Sequence, residues 1–176
     1  MSFILSMIEL AIELTGESIH PEDIQQIIQL GKRMLTHEVV LFRGVEELLE
    51  SLAAKYPLML ITKGDLFHQQ RKFRSSGLAD HFTALEVVSE KNESVYREIL
   101  QRYQIQPARF LMIGNSLRSD VLPVLALGGW GLHLADHPTW SHEDDPLVGG
   151  TPDRYLETEG IPRVLDCLQR AGLLDQ

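Results

Sequence analysis

Residues 58–65, Leu-Met-Leu-Ile-Thr-Lys-Gly-Asp, decide the fold, because an apolar run of strand length ends there in a short polar turn. The pattern returns at residues 110–120, where Phe-Leu-Met-Ile precedes Gly-Asn-Ser-Leu-Arg-Ser-Asp. Uninterrupted apolar strands that alternate with helices are typical of a parallel sheet covered on both faces. The two stretches therefore predict an α/β fold with an open, doubly wound parallel sheet.

The rest of the chain repeats this unit of strand and helix. Predicted strands cover about residues 58–62, 82–88, 110–113 and 131–134, and predicted helices cover about residues 44–53, 66–75, 94–103, 120–127 and 161–171. Residues 136–153 are rich in Pro, Gly, His and acidic side chains, which indicates an exposed loop.

Two amphipathic helices precede the α/β region. Apolar residues recur at helical spacing over residues 2–15, and Gly16 ends that helix. A second helix with one apolar side is expected over residues 21–37. The sequence therefore predicts a helical hairpin at residues 1–40 and an α/β region at residues 41–176.

The composition of the 176 residues narrows the class of protein. The net charge of -9 argues against nucleic acid and anionic membranes as partners, because both bind basic surfaces. No apolar run approaches the ~20 residues that a membrane-spanning helix needs. Cys167 is the one cysteine, so no internal disulfide can form, which favours a cytoplasmic protein.

The chemistry of the predicted sheet is concentrated where its strands end, because ligands of open parallel sheets bind beyond the carboxyl ends of the strands. Three polar stretches stand at those ends, residues 62–65, 89–92 and 114–120. They supply a hydroxyl, an ammonium group, and an amide with a carboxylate. That set suits a phosphate or carboxylate held beside a divalent cation.

These stretches resemble, in order and approximate spacing, the later active-site motifs of the haloacid dehalogenase (HAD) superfamily. Thr62, followed by Lys63 and Gly64, resembles motif II, whose hydroxyl binds the transferring phosphoryl group. Lys91 stands where motif III places the lysine that neutralises the charge of the nucleophile and the phosphoryl group. The resemblance covers about residues 43–135 and implies catalytic roles for Thr62 and Lys91 and a phosphate-binding role for all four residues.

Motif IV of the family usually reads Gly-Asp followed by a second Asp. Here Gly114 is followed by Asn115, and Asp120 supplies the second acid. The resemblance implies Asp120 and Asn115 as ligands of Mg²⁺, in a HAD-like Rossmannoid core with residues 1–40 as a partial helical cap. It also implies a magnesium-dependent phosphatase for a small phosphorylated metabolite, although the same scaffold supports dehalogenation.

Motif I, a strand that ends in Asp-x-Asp in the family, has no counterpart in residues 1–176. Its first Asp is the nucleophile that forms the aspartyl-enzyme intermediate, so we expect the chain to be inactive alone, with Mg²⁺ bound weakly or not at all. The sequence favours a truncated copy over a natural short form. The alternative function is a catalytically dead HAD-like binding or scaffold protein, or a pseudogene product.

The missing strand of the family lies between the strands that carry motifs II and IV. We therefore expect the inner edges of the strands at residues 58–62 and 110–114 to be unpaired, or to pair with each other. A third possibility is that these edges pair with another chain. The protein would then self-associate, because an exposed strand edge offers its backbone N–H and C=O groups to another copy.

Four of the candidate site residues also have a purely structural interpretation. Thr62 can end a buried strand, Lys91 can be a solvated surface lysine, and Asn115 can be a turn residue. Asp120 can complement the dipole of a helix N-terminus, which is compatible with a metal-binding role. The functional interpretation is preferred because the residues match the motifs in order and in their placement after strands.

Histidines cluster within and just after the last predicted strand, at His133, His137 and His142, close to Trp140. Their spacing matches no zinc pattern, so a surface loop with a packed tryptophan is the preferred interpretation over a metal site.

Overall fold

The computed structural model describes residues 3–16, 18–36, 38–135 and 152–174. The chain divides into two compact units, Met1–Val39 and Val40–Gln176. Residues 136–151 lie outside the described part, and with them most of the predicted loop, His137, Trp140 and His142. Among the helices that are described, none is both long and apolar enough to cross a membrane.

The first unit is a pair of helices, α1 (Phe3–Leu14) and α2 (Pro21–Thr36). Gly16 follows α1 with a positive φ of 58°, a conformation that glycine adopts without steric cost. The helices approach closely at Gly31, where an added Cβ would lie 2.2 Å from Cδ1 of Ile4. The assignment of this hairpin as a partial cap stays a prediction.

The second unit alternates helices and strands and confirms the predicted α/β fold. Its elements are α3 (Val45–Ala53), β1 (Met59–Lys63), α4 (Leu66–Ser75), β2 (Ala84–Val88), α5 (Glu93–Arg102), β3 (Leu111–Gly114), α6 (Leu122–Ala126), β4 (Trp130–Leu134), β5 (Tyr155–Thr158) and α7 (Val164–Arg170). Strand β5 is an addition to the predicted set, and its short sequence Tyr-Leu-Glu-Thr lacks the apolar run that marks the other strands.

Among the described residues of this unit, all strand pairs are parallel, and they form two separate sheets. Strand β1 pairs with β2, and β4 pairs with both β3 and β5. In the ranges that the structure describes, β1 and β3 each have a strand partner on one side and are not paired with each other. The two strand edges that the sequence analysis singled out are therefore edges of the observed sheets.

Helices cover both faces of the strands. Successive side chains of β3 point to opposite faces, and each face packs against a different core cluster. Leu111 and Ile113 pack against one core cluster, and Met112 packs against a second. The first cluster is built on α3, β4 and α7, and the second on β1, α5 and α6. Their buried residues are Leu48, Leu52, Leu132, Ile161, Val164 and Leu168 in the first, and Ile61, Tyr96, Ile99 and Val124 in the second.

The predicted helix start at Asp120 is wrong, because Asp120 lies in a wider helical turn that precedes the α-helix. Leu117–Val121 form a π-helical turn, and α6 begins only at Leu122. Inside an α-helix the residue at position 123 would donate its N–H to the Ser119 carbonyl, but Pro123 has no N–H. The hydroxyl of fully buried Tyr96 donates to that carbonyl instead, at 3.1 Å.

Candidate active site

Two of the three predicted polar stretches meet in a buried ion pair beyond the ends of β2 and β3. Lys91 Nζ lies 2.7 Å from Asp120 Oδ1, and the two side chains are 14% and 6% exposed. Lys91 follows β2 by three residues, and Asp120 lies in the π-helical turn that follows β3. Strands β2 and β3 belong to different sheets, so this contact between residues 29 positions apart joins the end of one sheet to the end of the other.

The loop after β3 holds the Asp120 carboxylate against the backbone. The N–H of Ser116 donates to Asp120 Oδ2 at 3.2 Å, and the Ser116 hydroxyl caps the following turn by accepting from the N–H of Ser119. A Cβ at Gly114 would lie 2.3 Å from Asp120 Oδ2. Glycine at the end of β3 therefore makes room for the carboxylate, and both carboxylate oxygens have partners.

The stretch after β1 is organised by a residue that the sequence analysis did not single out. Thr62 Oγ1 donates to Gln69 Oε1 at 3.3 Å, and Gln69 Nε2 donates to the Lys63 carbonyl at 3.2 Å. The N–H of Gly64 donates to the Val88 carbonyl at 3.1 Å, so it does not point to a ligand. Gln69 lies in the first turn of α4, seven positions after Thr62. The sequence did not indicate it, because the candidate residues were sought directly after the strands.

The turns after β1 and β2 are fixed by local caps and a weak ion pair. Asp65 caps α4 through the N–H of His68, and Asn92 caps α5 through the N–H of Val95. Lys63 Nζ lies 3.9 Å from Glu90 Oε2 in an exposed pair. The caps explain why polar residues follow Gly64 and Lys91, since both precede helices whose first N–H groups need acceptors.

His133 connects the loop after β3 to β5. It lies opposite Gly114 in the pairing of β3 with β4, and it is 8% exposed. Its Nε2 lies 3.2 Å from the Asn115 carbonyl oxygen and its Nδ1 lies 3.4 Å from Glu157 Oε2. Tyr155 also donates its hydroxyl to Glu157. The neighbour of this histidine in the sheet could not be read from the sequence, because β5 was not predicted.

The pKa values of Tyr96 and Glu157 are shifted by these contacts. Burial, and secondarily the charge of Asp120, raises the pKa of Tyr96 far above its ordinary value, so its hydroxyl remains a donor to Ser119. The hydrogen bond from Tyr155 lowers the pKa of Glu157, burial opposes this, and His133 lowers it further. Glu157 therefore remains a carboxylate beside His133 at neutral pH.

The structure thus joins Lys91 to Asp120 and joins Thr62 to Lys63 through Gln69. The carbonyl of Asn115 contacts His133. The roles assigned to these residues from the sequence stay predictions.

A bound Mg²⁺ would find one strongly suitable donor here. Mg²⁺ prefers one or two carboxylates, completed by water and phosphate oxygens. Asp120 supplies one buried carboxylate, and the side-chain carbonyl of Asn115 is the second oxygen donor proposed from the sequence. In the described part of the chain, no group of three or more His, Cys, Asp or Glu side chains is placed to hold a metal. Asp120 and Asn115 therefore fit Mg²⁺ as two of its oxygen ligands, with water and phosphate oxygens completing the shell.

A family model of haloacid dehalogenase-like hydrolases matches residues 7–128. No curated protein sequence matches the chain. Among solved structures, a haloacid dehalogenase-like family hydrolase from Xanthomonas campestris is 43% identical with a TM-score of 0.85, over 95% of this chain and 70% of its own.

Two more distant structures share the fold alone. A 2-haloacid dehalogenase from Pseudomonas syringae is 20% identical with a TM-score of 0.62, over 90% of this chain and 67% of its own. A predicted phosphoglycolate phosphatase from Haemophilus somnus is 16% identical with a TM-score of 0.67, over 93% of this chain and 74% of its own.

Proposed function

The chain belongs to the haloacid dehalogenase-like hydrolases, and on that premise we propose that it is the core of a magnesium-dependent phosphatase for a small phosphorylated metabolite. The observation that carries the proposal is the buried contact between Lys91 and Asp120. A cation and a carboxylate held together at the ends of parallel strands suit a phosphoryl group that is neutralised by the lysine and faces a metal beside the carboxylate.

The residues divide into those that bind phosphate and those that hold the metal. Thr62 binds a phosphoryl oxygen, Lys91 neutralises the charge of the phosphoryl group, and the turn at Lys63 and Gly64 borders the same oxygens. Asp120 with Asn115 holds Mg²⁺, which when bound withdraws charge from the phosphoryl oxygens. A site with one acid binds Mg²⁺ more weakly than one with two, because hard cations favour charged oxygen ligands.

The nucleophile of the reaction is an aspartate that residues 1–176 do not supply. Formation of an aspartyl-enzyme intermediate therefore needs an Asp-x-Asp strand in addition to this chain. The chain alone is accordingly inactive as a hydrolase.

The test compares the 176-residue chain with an extended chain that carries an Asp-x-Asp strand ahead of residue 1, both assayed on p-nitrophenyl phosphate with and without Mg²⁺. Turnover that needs both the added strand and Mg²⁺ supports the proposal. Magnesium-dependent turnover by the pure 176-residue chain contradicts the missing nucleophile. An inactive extended chain in which the added aspartate is correctly placed favours a binding or scaffold protein.

Three variants of the extended chain separate the assigned roles. Lys91→Ala should reduce turnover at saturating Mg²⁺ by roughly a hundredfold or more, as the loss of one charge-stabilising donor does in other enzymes. Asp120→Ala should mainly raise the Mg²⁺ concentration needed, and Thr62→Ala should cost less because it removes one neutral hydrogen bond. Hydrolysis of a 2-haloacid without Mg²⁺ would instead indicate a dehalogenase.

A further inference from the structure

The amide of Gln69 is oriented by its two hydrogen-bond partners. The Lys63 carbonyl can only accept a hydrogen bond, so the NH₂ group of Gln69 must face it, at 3.2 Å. The amide oxygen then faces Thr62 Oγ1 at 3.3 Å. Because that oxygen can only accept, the Thr62 hydroxyl must donate its proton to Gln69.

This amide position is built into the turn. A Cβ at Gly64 would lie 2.8 Å from Gln69 Nε2, so the absence of a side chain there leaves space for the amide. Gly64 also has a φ of 143°, which other residues rarely adopt. Gln69 itself is half-buried and lies in the first turn of α4, which Asp65 caps. The Lys63 carbonyl and the space that Gly64 leaves thus hold the amide nitrogen in place.

The orientation has a consequence for the site. A phosphoryl oxygen at neutral pH is an acceptor, so it needs the same Thr62 proton that Gln69 holds. We propose that Gln69 is an affinity-determining residue, which competes with the phosphoryl group for the hydroxyl proton of Thr62. This inference rests on the proposed function, since it takes Thr62 as a phosphate-binding residue.

The contact is long enough to be exchanged for a better one. Hydroxyl donors bind oxygen acceptors most often at about 2.7–2.8 Å, whereas Thr62 and Gln69 are 3.3 Å apart. A charged phosphate oxygen is a stronger acceptor than a neutral amide oxygen. Phosphate can therefore take the proton, at the expense of the contact that it breaks with Gln69.

Competition predicts the sign of a mutational effect. Gln69→Met removes the competing acceptor and should raise the affinity for phosphate by about two- to tenfold, which corresponds to one neutral hydrogen bond. Gln69→Glu should weaken phosphate binding, since a carboxylate holds the proton more strongly and repels the anion. A residue that only supports the turn would give the opposite sign for Gln69→Met, because a loosened turn binds less well.

The experiment titrates inorganic phosphate into the 176-residue chain and follows backbone amide shifts by NMR. The variants are Gln69→Met, Gln69→Glu and Thr62→Val, with the pair Thr62→Val and Gln69→Met combined. Gln70→Met is the matched control, because the next residue of α4 points about 100° away around the helix. Lys91→Met identifies the site, since its loss should abolish phosphate binding.

Tighter binding by Gln69→Met that disappears in the Thr62→Val background supports the inference, provided that Gln70→Met binds like the parent. If the parent binds phosphate through Lys91 while Gln69→Met binds equally or more weakly, the inference is overturned and the proposed function stands. If neither the parent nor Gln69→Met binds phosphate, the proposed phosphate site is wrong and the inference fails with it.

Discussion

Lys91 Nζ and Asp120 Oδ1 lie 2.7 Å apart between side chains that are 14% and 6% exposed. A buried charge without a partner of opposite sign is costly, because it has lost its contacts with water. The main effect of the pair is to avoid that cost for both side chains. Replacement of a single partner therefore has a larger effect than the pair contributes as a whole. This distinguishes the pair from exposed ion pairs of the same chain, such as Lys63 with Glu90 at 3.9 Å.

We predict that Lys91→Met lowers the free energy of unfolding by about 3–5 kcal/mol, because it leaves the Asp120 charge buried without a cation. Adding Asp120→Asn should restore part of this loss, since no charge then remains to be buried. Lys63→Met is the control and should cost about 1 kcal/mol or less. Urea unfolding of the four proteins measures the differences, and equal losses for Lys91→Met and Lys63→Met would contradict the buried pair.

Tyr96 makes a second prediction possible, because its hydroxyl donates to the Ser119 carbonyl, to which Pro123 cannot donate. Tyr96→Phe keeps the buried ring but leaves the Ser119 carbonyl without that donor. It should lower the free energy of unfolding by about 1–3 kcal/mol, the cost of an unsatisfied buried polar group.

Tyr103→Phe is the matched control for Tyr96→Phe, as the Tyr103 hydroxyl donates to Glu86 at the surface. Surface substitutions of this kind usually change stability by about 0.5 kcal/mol or less. Thermal or urea unfolding of both variants decides the point. Similar small losses would mean that water or a rearranged turn satisfies the Ser119 carbonyl.

The sequence predicted the strands that carry the site because each is a continuous apolar run. Residues 58–62 and 110–113 lie within one position of β1 and β3, since burial on both faces removes the need for alternating polar residues. Strand β5 escaped prediction because its four residues include exposed Glu157 and contain no apolar run. A strand of this kind is defined by its pairing with β4, which is a tertiary contact.

The candidate site was predictable only in its strand-end residues. Lys91 and Asp120 could be expected to lie close together, because parallel strands bring their ends to one edge. The Ser119 carbonyl in the π-helical turn accepts a hydrogen bond from Tyr96, and the Thr62 hydroxyl donates to Gln69. Both effects come from side chains in other elements, so neither spacing nor composition indicated them.

Glu157 predicts a pH dependence of stability. Its pKa is lowered in the folded chain, first by the hydrogen bond from Tyr155 and then by His133 against the effect of burial. The folded chain then binds fewer protons than the unfolded chain at acidic pH, so stability rises with pH in that window. The contribution is complete above the ordinary glutamate pKa of about 4.3 and is lost as pH falls through the lower folded value.

The measurement compares the parent with Glu157→Gln by urea unfolding between neutral and acidic pH. The stability difference should be below about 1 kcal/mol, since the side chain is 53% exposed, and it should fade as the pH falls below about 4.3. Tyr155→Phe should remove most of this pH dependence, because the Tyr155 hydroxyl is its largest cause. A difference that grows on acidification would contradict the assigned sign.

The free edges of β1 and β3 lead to the last prediction, which concerns association between copies. Within the described ranges each of these strands is paired on one side only, whereas β4 is paired on both. A strand edge exposes unpaired N–H and C=O groups, which can pair with a strand of another chain. We therefore expect the chain to self-associate, with β1 and β3 at the contact.

Hydrogen exchange at several protein concentrations tests this without any substitution. In dilute solution the amides of β1 and β3 that face the free edges should exchange much faster than those of β4, because exchange follows local exposure of the hydrogen bond. Their protection should increase with concentration in step with the mass seen by sedimentation, while the protection of β4 stays constant as the internal control. A monomer at all concentrations whose β1 and β3 amides are as protected as those of β4 would mean that both edges are closed within one chain.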